Sequence, residues 1–194
     1  MFDYISGNIT HKTATYIVVE AGGIGYQLHV SLQTFSRLKD EQKARVFTHL
    51  SIKEDAHTLY GFADEEERGL FRQLISVSGV GPGTARVMLS SMSSTEMQHA
   101  ILTANVAAIK KIKGIGDKTA QRIIIDLKDK VGKQDASTPL LITSHNTIKD
   151  QALSALLTLG FNKNAAEKEL DKLMRNAAES QTVESLLKAA LKNL

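Results

Sequence analysis

The stretch Lys113-Gly114-Ile115-Gly116-Asp117-Lys118-Thr119-Ala120 has an earlier counterpart, Ser78-Gly79-Val80-Gly81-Pro82-Gly83-Thr84-Ala85, at a constant offset of 35 residues. Gly, a branched apolar residue, Gly and Thr-Ala stay in step between the copies. Apolar residues at helical spacing precede each one (Leu74, Ile75; Ile109, Ile112) and follow it (Val87, Met88, Leu89; Ile123, Ile124, Leu127). Such a pattern leaves few folds open: it reads as helix, Gly-x-Gly turn, helix, occurring twice. The first glycine of each turn can take positive φ and stop a helix, and the second lets another backbone come close. Amide N–H groups then face outward at the positive end of the next helix dipole, a cradle suited to a phosphate. Two cradles in register suit a nucleic-acid backbone better than a single nucleotide. A pair of ordinary tight helix connections is the competing reading, and the lysines around the second copy weigh against it.

Charge placement supports the phosphate reading. The chain of 194 residues has a net charge of +3, and the excess is local. Residues 1–63 carry six basic and six acidic side chains, and residues 134–194 carry seven of each. Residues 64–133 carry eleven basic against eight acidic, and within 105–133 the count is eight against three. A basic stripe confined to the repeats is an electrostatic footprint for polyanions.

Other chemistries find little support. There is no cysteine, so disulfides and thiolate metal sites are excluded. The six histidines are scattered without ligand spacing, and no metal site is expected. Gly114-Ile115-Gly116-Asp117-Lys118-Thr119 looks superficially like a P-loop, but Asp117 separates Gly from Lys and no strand precedes it. No nucleophile elbow is present, and no catalytic residue or cofactor is expected. Without a signal-peptide pattern or a long apolar run, the expected location is the cytoplasm.

Residues 1–63 read as β, with strands at Phe2–Thr10, Ala14–Glu20, Gly25–Ser31, Arg45–Ile52 and Thr58–Phe62, and a helix at Leu32–Leu38. Five strands with one helix interposed predict a small barrel of the OB type. Alternation shows in Tyr16 and Val18 and in Tyr26, Leu28 and Val30, and Tyr16, Tyr26 and Phe47 are expected in the core. Between the last two strands, Lys53-Glu54-Asp55-Ala56 places two carboxylates at a hairpin tip; by itself this reads as a solvated turn.

Asp64 is placed to cap a helix, with Glu67 three residues on, which accounts locally for the acidic run Asp64-Glu65-Glu66-Glu67. Pro82 fits the first turn after the first Gly-x-Gly. A helix pair is expected over 95–112 and a helix over 117–131. Residues 134–146, rich in Ser, Thr and Pro, read as a linker. Three helices follow in 147–194, with capping boxes at Thr147/Asp150 and Asn164/Glu167.

The three-part order resembles the RuvA family, through Leu59-Tyr60-Gly61-Phe62, Gly79-Val80-Gly81-Pro82, Gly114-Ile115-Gly116-Asp117-Lys118-Thr119-Ala120 and Leu159-Gly160-Phe161. The resemblance implies a multidomain α+β chain: an OB-fold barrel at 1–63, a tandem helix-hairpin-helix domain at 64–133, a linker at 134–146 and a three-helix, UBA-like domain at 147–194. It implies a non-catalytic protein that holds Holliday junctions open as a homotetramer or octamer, in DNA recombination and repair. By similarity Gly79, Gly81, Gly83, Thr84, Arg86, Gly114, Gly116, Lys118, Thr119 and Arg122 contact DNA. Glu54 and Asp55 become the family's acidic pin at the junction centre. The hexameric ATPase RuvB is the implied partner of residues 147–194, with the junction resolvase RuvC as a further candidate. Many members carry Lys after the first Gly-Pro; Gly83 stands here, so that hairpin must rely on backbone amides and Arg86. A helix-hairpin-helix glycosylase or nuclease is the competing class, but Asp126 and Asp129 read as solvated. A single-strand-binding OB protein is the third.

Overall fold

The computed structural model describes residues 2–135, 144–175 and 182–193. They belong to two compact units, one ending at Ala136 and one beginning at Ser137.

The first unit opens with a closed barrel. β1 (Tyr4–Lys12), β2 (Tyr16–Ala21), β3 (Ile24–Val30), β4 (Lys43–Ile52) and β5 (His57–Phe62) are ordered β1-β2-β3-β5-β4. All neighbours are antiparallel except β3 and β5. α1 (Leu32–Leu38) follows β3, capped by the Ser31 hydroxyl, which accepts from the Thr34 amide. Ile5, Ile17, Val19, Leu28, Val30, Leu38 and Val46 fill the interior. In β2 the buried residues are Ile17 and Val19, while Tyr16 and Val18 are half-buried. Four consecutive apolar residues left that phase ambiguous in the sequence. Tyr16, Tyr26 and Phe47, expected in the core, are half-buried as well. β1 can coil tightly against β2 because Gly7 has no side chain: a Cβ there would lie 2.0 Å from the Glu20 carbonyl oxygen.

A helical layer follows: α2 (Glu65–Ile75), α3 (Pro82–Ser91), α4 (Ser94–Leu102), α5 (Val106–Lys110) and α6 (Asp117–Asp135). Its core runs from Phe62 and Phe71 through Met88, Met97, Ile109 and Ile123 to Leu127. Burying each such side chain is worth about 1.5–3 kcal/mol. Barrel and helices are joined by a dense seam. Phe71 lies 4.9 Å from Phe62, 5.1 Å from Tyr60 and 5.3 Å from His49, ring centroid to ring centroid.

Two charged residues lock this seam. Asp64 caps α2 as expected, its carboxylate accepting from the Glu67 amide. The Glu67 side chain does not complete a capping box. It is 3 % exposed and accepts from the hydroxyls of Ser31 and of Thr34, the latter at 2.6 Å. Thr34 Oγ1 in turn accepts from the Ala63 amide. Arg68, equally buried, donates to the Asp3 carboxylate at 2.6 Å and to Glu65 at 2.5 Å, and its guanidinium covers the Phe47 ring. A buried charge with one partner removed is strongly destabilising, so these groups hold barrel and helices in one arrangement.

The second unit packs α7 (Ser144–Thr158), α8 (Lys163–Arg175) and α9 (Val183–Asn193) around Ala152, Leu156, Ala166, Leu170, Leu186 and Ala190. α7 starts before Thr147, so that residue lies in its first turn and is not its cap. Asn162, not Asn164, caps α8: its Oδ1 accepts from the Asn164 amide and its carbonyl from Ala166. Gly160, φ 93°, turns the chain away just past the end of α7, where the Phe161 amide donates to the Leu156 carbonyl and the Gly160 amide to that of Leu157. Of the expected linker 134–146, residues 136–143 lie outside the described residues; α6 continues to Asp135.

Candidate nucleic-acid interface

The two Gly-x-Gly turns have the same backbone. In the first, Val77 N–H donates to Leu74 C=O, Val80 to Val77, and Ala85 to Gly81. In the second, Ile112 donates to Ile109, Ile115 to Ile112, and Ala120 to Gly116. Every bond recurs at the sequence offset. Gly79 has φ 91° and Gly114 φ 92°, a conformation that L side chains rarely adopt. The apolar residue between the glycines, Val80 or Ile115, is buried and pins the turn to the core. Gly79, Gly81, Gly83, Gly114 and Gly116 are exposed, and added Cβ atoms at Gly81, Gly83, Gly114 and Gly116 would meet nothing within 4 Å. The surface outside each turn is thus bare backbone.

The donors differ between the turns. The first amides of a helix have no intrahelical acceptor. Gly81 is the cap residue of α3 and supplies no side-chain cap, while Pro82 at the first position has no N–H. The amides of Gly83 and Thr84 remain. α6 begins with Asp117, Lys118 and Thr119, and so offers one donor more. The Asp117 carboxylate would repel a phosphate, but it is 2.8 Å from Lys110 Nζ. Among the described residues, Lys111, Lys113 and Lys118 have no ion pair, and all are exposed.

Two arginines expected at phosphates make intramolecular contacts. Arg86 Nη1 donates to the Thr15 carbonyl at 3.0 Å and lies 3.4 Å from His29 Nδ1, tying α3 to the barrel. Arg122 Nη1 donates to the Ser78 carbonyl at 3.2 Å, tying α6 to the first turn. Thr119 Oγ1 would be 3.9 Å from a Cβ on Gly79, so the two turns are neighbours. Burial and then the Arg86 charge hold the His29 pKa below its usual value; burial, Arg72 and Arg68 do the same to His49. Sequence reasoning missed the locking roles of Glu67 and Arg68, since a buried pair within an acidic run looks like surface.

Glu54 and Asp55 are exposed at a tight turn closed by Lys53 N–H donating to Ala56 C=O at 2.9 Å. The hairpin that carries them projects from the barrel. β1 pairs with β4 only from Tyr4↔Phe47 to Asn8↔Lys43, and β3 pairs with β5 only from Leu28↔Leu59 to Val30↔Gly61. β4 and β5 continue pairing with each other to Ile52↔His57. The tip therefore rides on a two-stranded ribbon, unsupported on both edges. Among the described residues no group of three His, Asp or Glu side chains is placed to hold a metal, and no helix is long and apolar enough to cross a membrane.

A model of the RuvA N-terminal domain matches residues 1–61, a SAM-like helix-hairpin-helix tandem matches 71–129, and a RuvA C-terminal domain matches 147–194. Proteins named Holliday junction branch migration complex subunit RuvA are similar throughout. That of Christiangramia forsetii is 50% identical over 194 residues, all of both chains. That of Cytophaga hutchinsonii is 51% identical over 99% of each, and that of Flavobacterium psychrophilum 46% over the full length of both.

Proposed function

The chain belongs to the RuvA family of Holliday junction branch migration subunits, and from that premise we propose that it binds four-way DNA junctions by shape as a homotetramer. The observation that carries this reading is the pair of equivalent glycine turns on the same folded unit as a projecting acidic hairpin. The turns offer amides and lysines to duplex backbones, with no reading of base sequence. Four copies of Glu54 and Asp55, brought together by symmetry, repel phosphates at the crossover and keep the strands apart. Selectivity then comes from geometry, and affinity from phosphate contacts that weaken with salt.

The chain acts without catalysis of its own. The RuvB ATPase supplies the motor and docks on residues 147–194, where Leu157, Leu159 and Leu191 are exposed around a compact three-helix core. Branch migration during recombination and repair, with RuvC acting on the same junction, is the setting this implies. The experiment is binding to a synthetic four-way junction and to a linear duplex of equal arm length, at two salt concentrations. Junction preference that survives the higher salt is expected. Equal affinities that collapse together with salt would leave only a generic backbone binder. Cleavage of a nicked duplex by the protein alone would point to a nuclease instead.

A further inference from the structure

The ribbon that carries Glu54 and Asp55 has an unexplained apolar side chain at its neck. Along β4, Val46 and Thr48 are buried and Leu50 is half-buried, all on the face that lines the barrel. Ile52 continues that alternation, yet it is 66 % exposed. The reason is geometric: β1 and β3 no longer flank the ribbon at this level, so the interior face has no interior left. Across the ribbon stands His57, also exposed. A single exposed isoleucine is unremarkable on a flat surface. Here it sits two residues from a pair of carboxylates, on a ribbon with no strand paired to either edge at that level.

We propose that Ile52 is an apolar wedge that contacts nucleobases at the centre of the junction. This rests on the junction reading above. The two carboxylates keep phosphates away from the tip, and what remains of DNA without its charge is the face of a base. Bases at a crossover can leave their stack, and apolar side chains placed between base steps unstack them in DNA-bending proteins. The carboxylates would part the backbones, and Ile52 would give the freed bases a surface to rest on. Ile52 thus belongs to specificity, separate from the amides and lysines that set affinity.

The test uses the full-length protein and four-way junctions with 2-aminopurine either beside the crossover or in mid-arm. Binding of the unmodified protein should raise fluorescence at the crossover and leave the arm unchanged. Ile52→Ser should cut that rise by about half or more, while junction affinity stays within about threefold, because phosphate contacts supply most of it. Ile52→Leu should restore the rise, which a merely structural role for the β-branched residue would not do. An undiminished rise with Ile52→Ser overturns the proposal, as does the absence of any rise in an unmodified protein that prefers junctions. If the unmodified protein shows no junction preference, the underlying reading fails and the wedge with it; the affinity measurements tell that case from the other two.

Discussion

The two Gly-x-Gly turns share a backbone and differ in the charge attached to it. Gly83 stands where the second turn has Lys118, Val87 where it has Arg122, and Pro82 where it has Asp117. The hydrogen bonds nevertheless repeat one for one, and Gly79 and Gly114 agree to within a degree in φ. The glycines and the buried Val80 or Ile115 therefore specify the cradle, and the cations are a second layer laid over it. The first turn lacks that layer and is instead bound into the molecule, by Arg86 to the barrel and by Arg122 to the second turn. One turn is a fixed frame with two amides; the other carries the charge.

The comparison breaks most severely if the shared backbone is disturbed. Gly79→Val or Gly114→Val forces a β-branched residue to positive φ, at a cost of about 1–3 kcal/mol each. At Gly114 the added atoms meet nothing, so the whole cost is conformational; at Gly79 Thr119 adds a contact. Thermal melting should show similar losses at the two sites, and junction affinity should fall with each. A large loss at one site and none at the other would mean that the turns are not equivalent.

Exchanging the charge layer sharpens the contrast. Lys118→Ala should lower the salt dependence of binding by about 0.9 in the log–log slope, one phosphate contact's share. Gly83→Lys should raise it by a similar amount, since its side chain would enter open space. The same change should stabilise the fold by up to about 1 kcal/mol, because glycine is a poor helix former inside α3. Salt titrations of both variants decide whether the first turn lies near DNA: a Gly83→Lys protein with an unchanged slope would place it away from any phosphate.

Arg122 separates frame from charge with a smaller effect. One N–H of its guanidinium donates to the Ser78 carbonyl, so Arg122→Ala should cost about 0.5–1.5 kcal/mol of stability. Its salt slope should change by less than that of Lys118→Ala. A slope change as large as that of Lys118→Ala would show that the hydrogen bond to Ser78 is given up when DNA binds.

Much of this molecule was legible in its sequence, and the failures have physical causes. The repeat, the barrel, the capping role of Asp64 and the place of Pro82 in the first turn of α3 are written locally, in spacing and turn chemistry. The phase of β2 was not, because Tyr16-Ile17-Val18-Val19 offers an apolar side chain to both faces. Sequence shows the charge of Arg86 and Arg122 and hides the carbonyls that one N–H of each reaches, 71 and 44 residues away. Glu67 read as the capping-box partner of Asp64 for the same reason: Ser31 and Thr34, which bind its carboxylate, come from the other side of the barrel seam. The exposure of Ile52 needed the ends of β1 and β3, which no local pattern announces.

The smallest effect concerns how the first turn is mounted. Its two helices meet the barrel at His49, against Phe71 of α2, and at His29, beside Arg86 of α3. Both imidazoles have lowered pKa values, chiefly through burial and then through the neighbouring arginines. Between those lowered values and the ordinary 6.5, the unfolded chain binds more protons than the folded one. Stability is therefore full above that ordinary value and declines as pH falls below it. The second turn, on α5 and α6, has no such histidine mount, so mild acid should loosen the first turn's seam selectively. Melting curves at about pH 7.5 and about pH 5.5, on either side of the histidine range, measure the decline. His29→Gln and His49→Gln should each flatten it, and hydrogen exchange at the lower pH should rise at α2 and α3 before α6. A pH dependence that survives both substitutions together would move the effect elsewhere; exchange that rises first at α6 would make the charged turn, not the frame, the looser of the two.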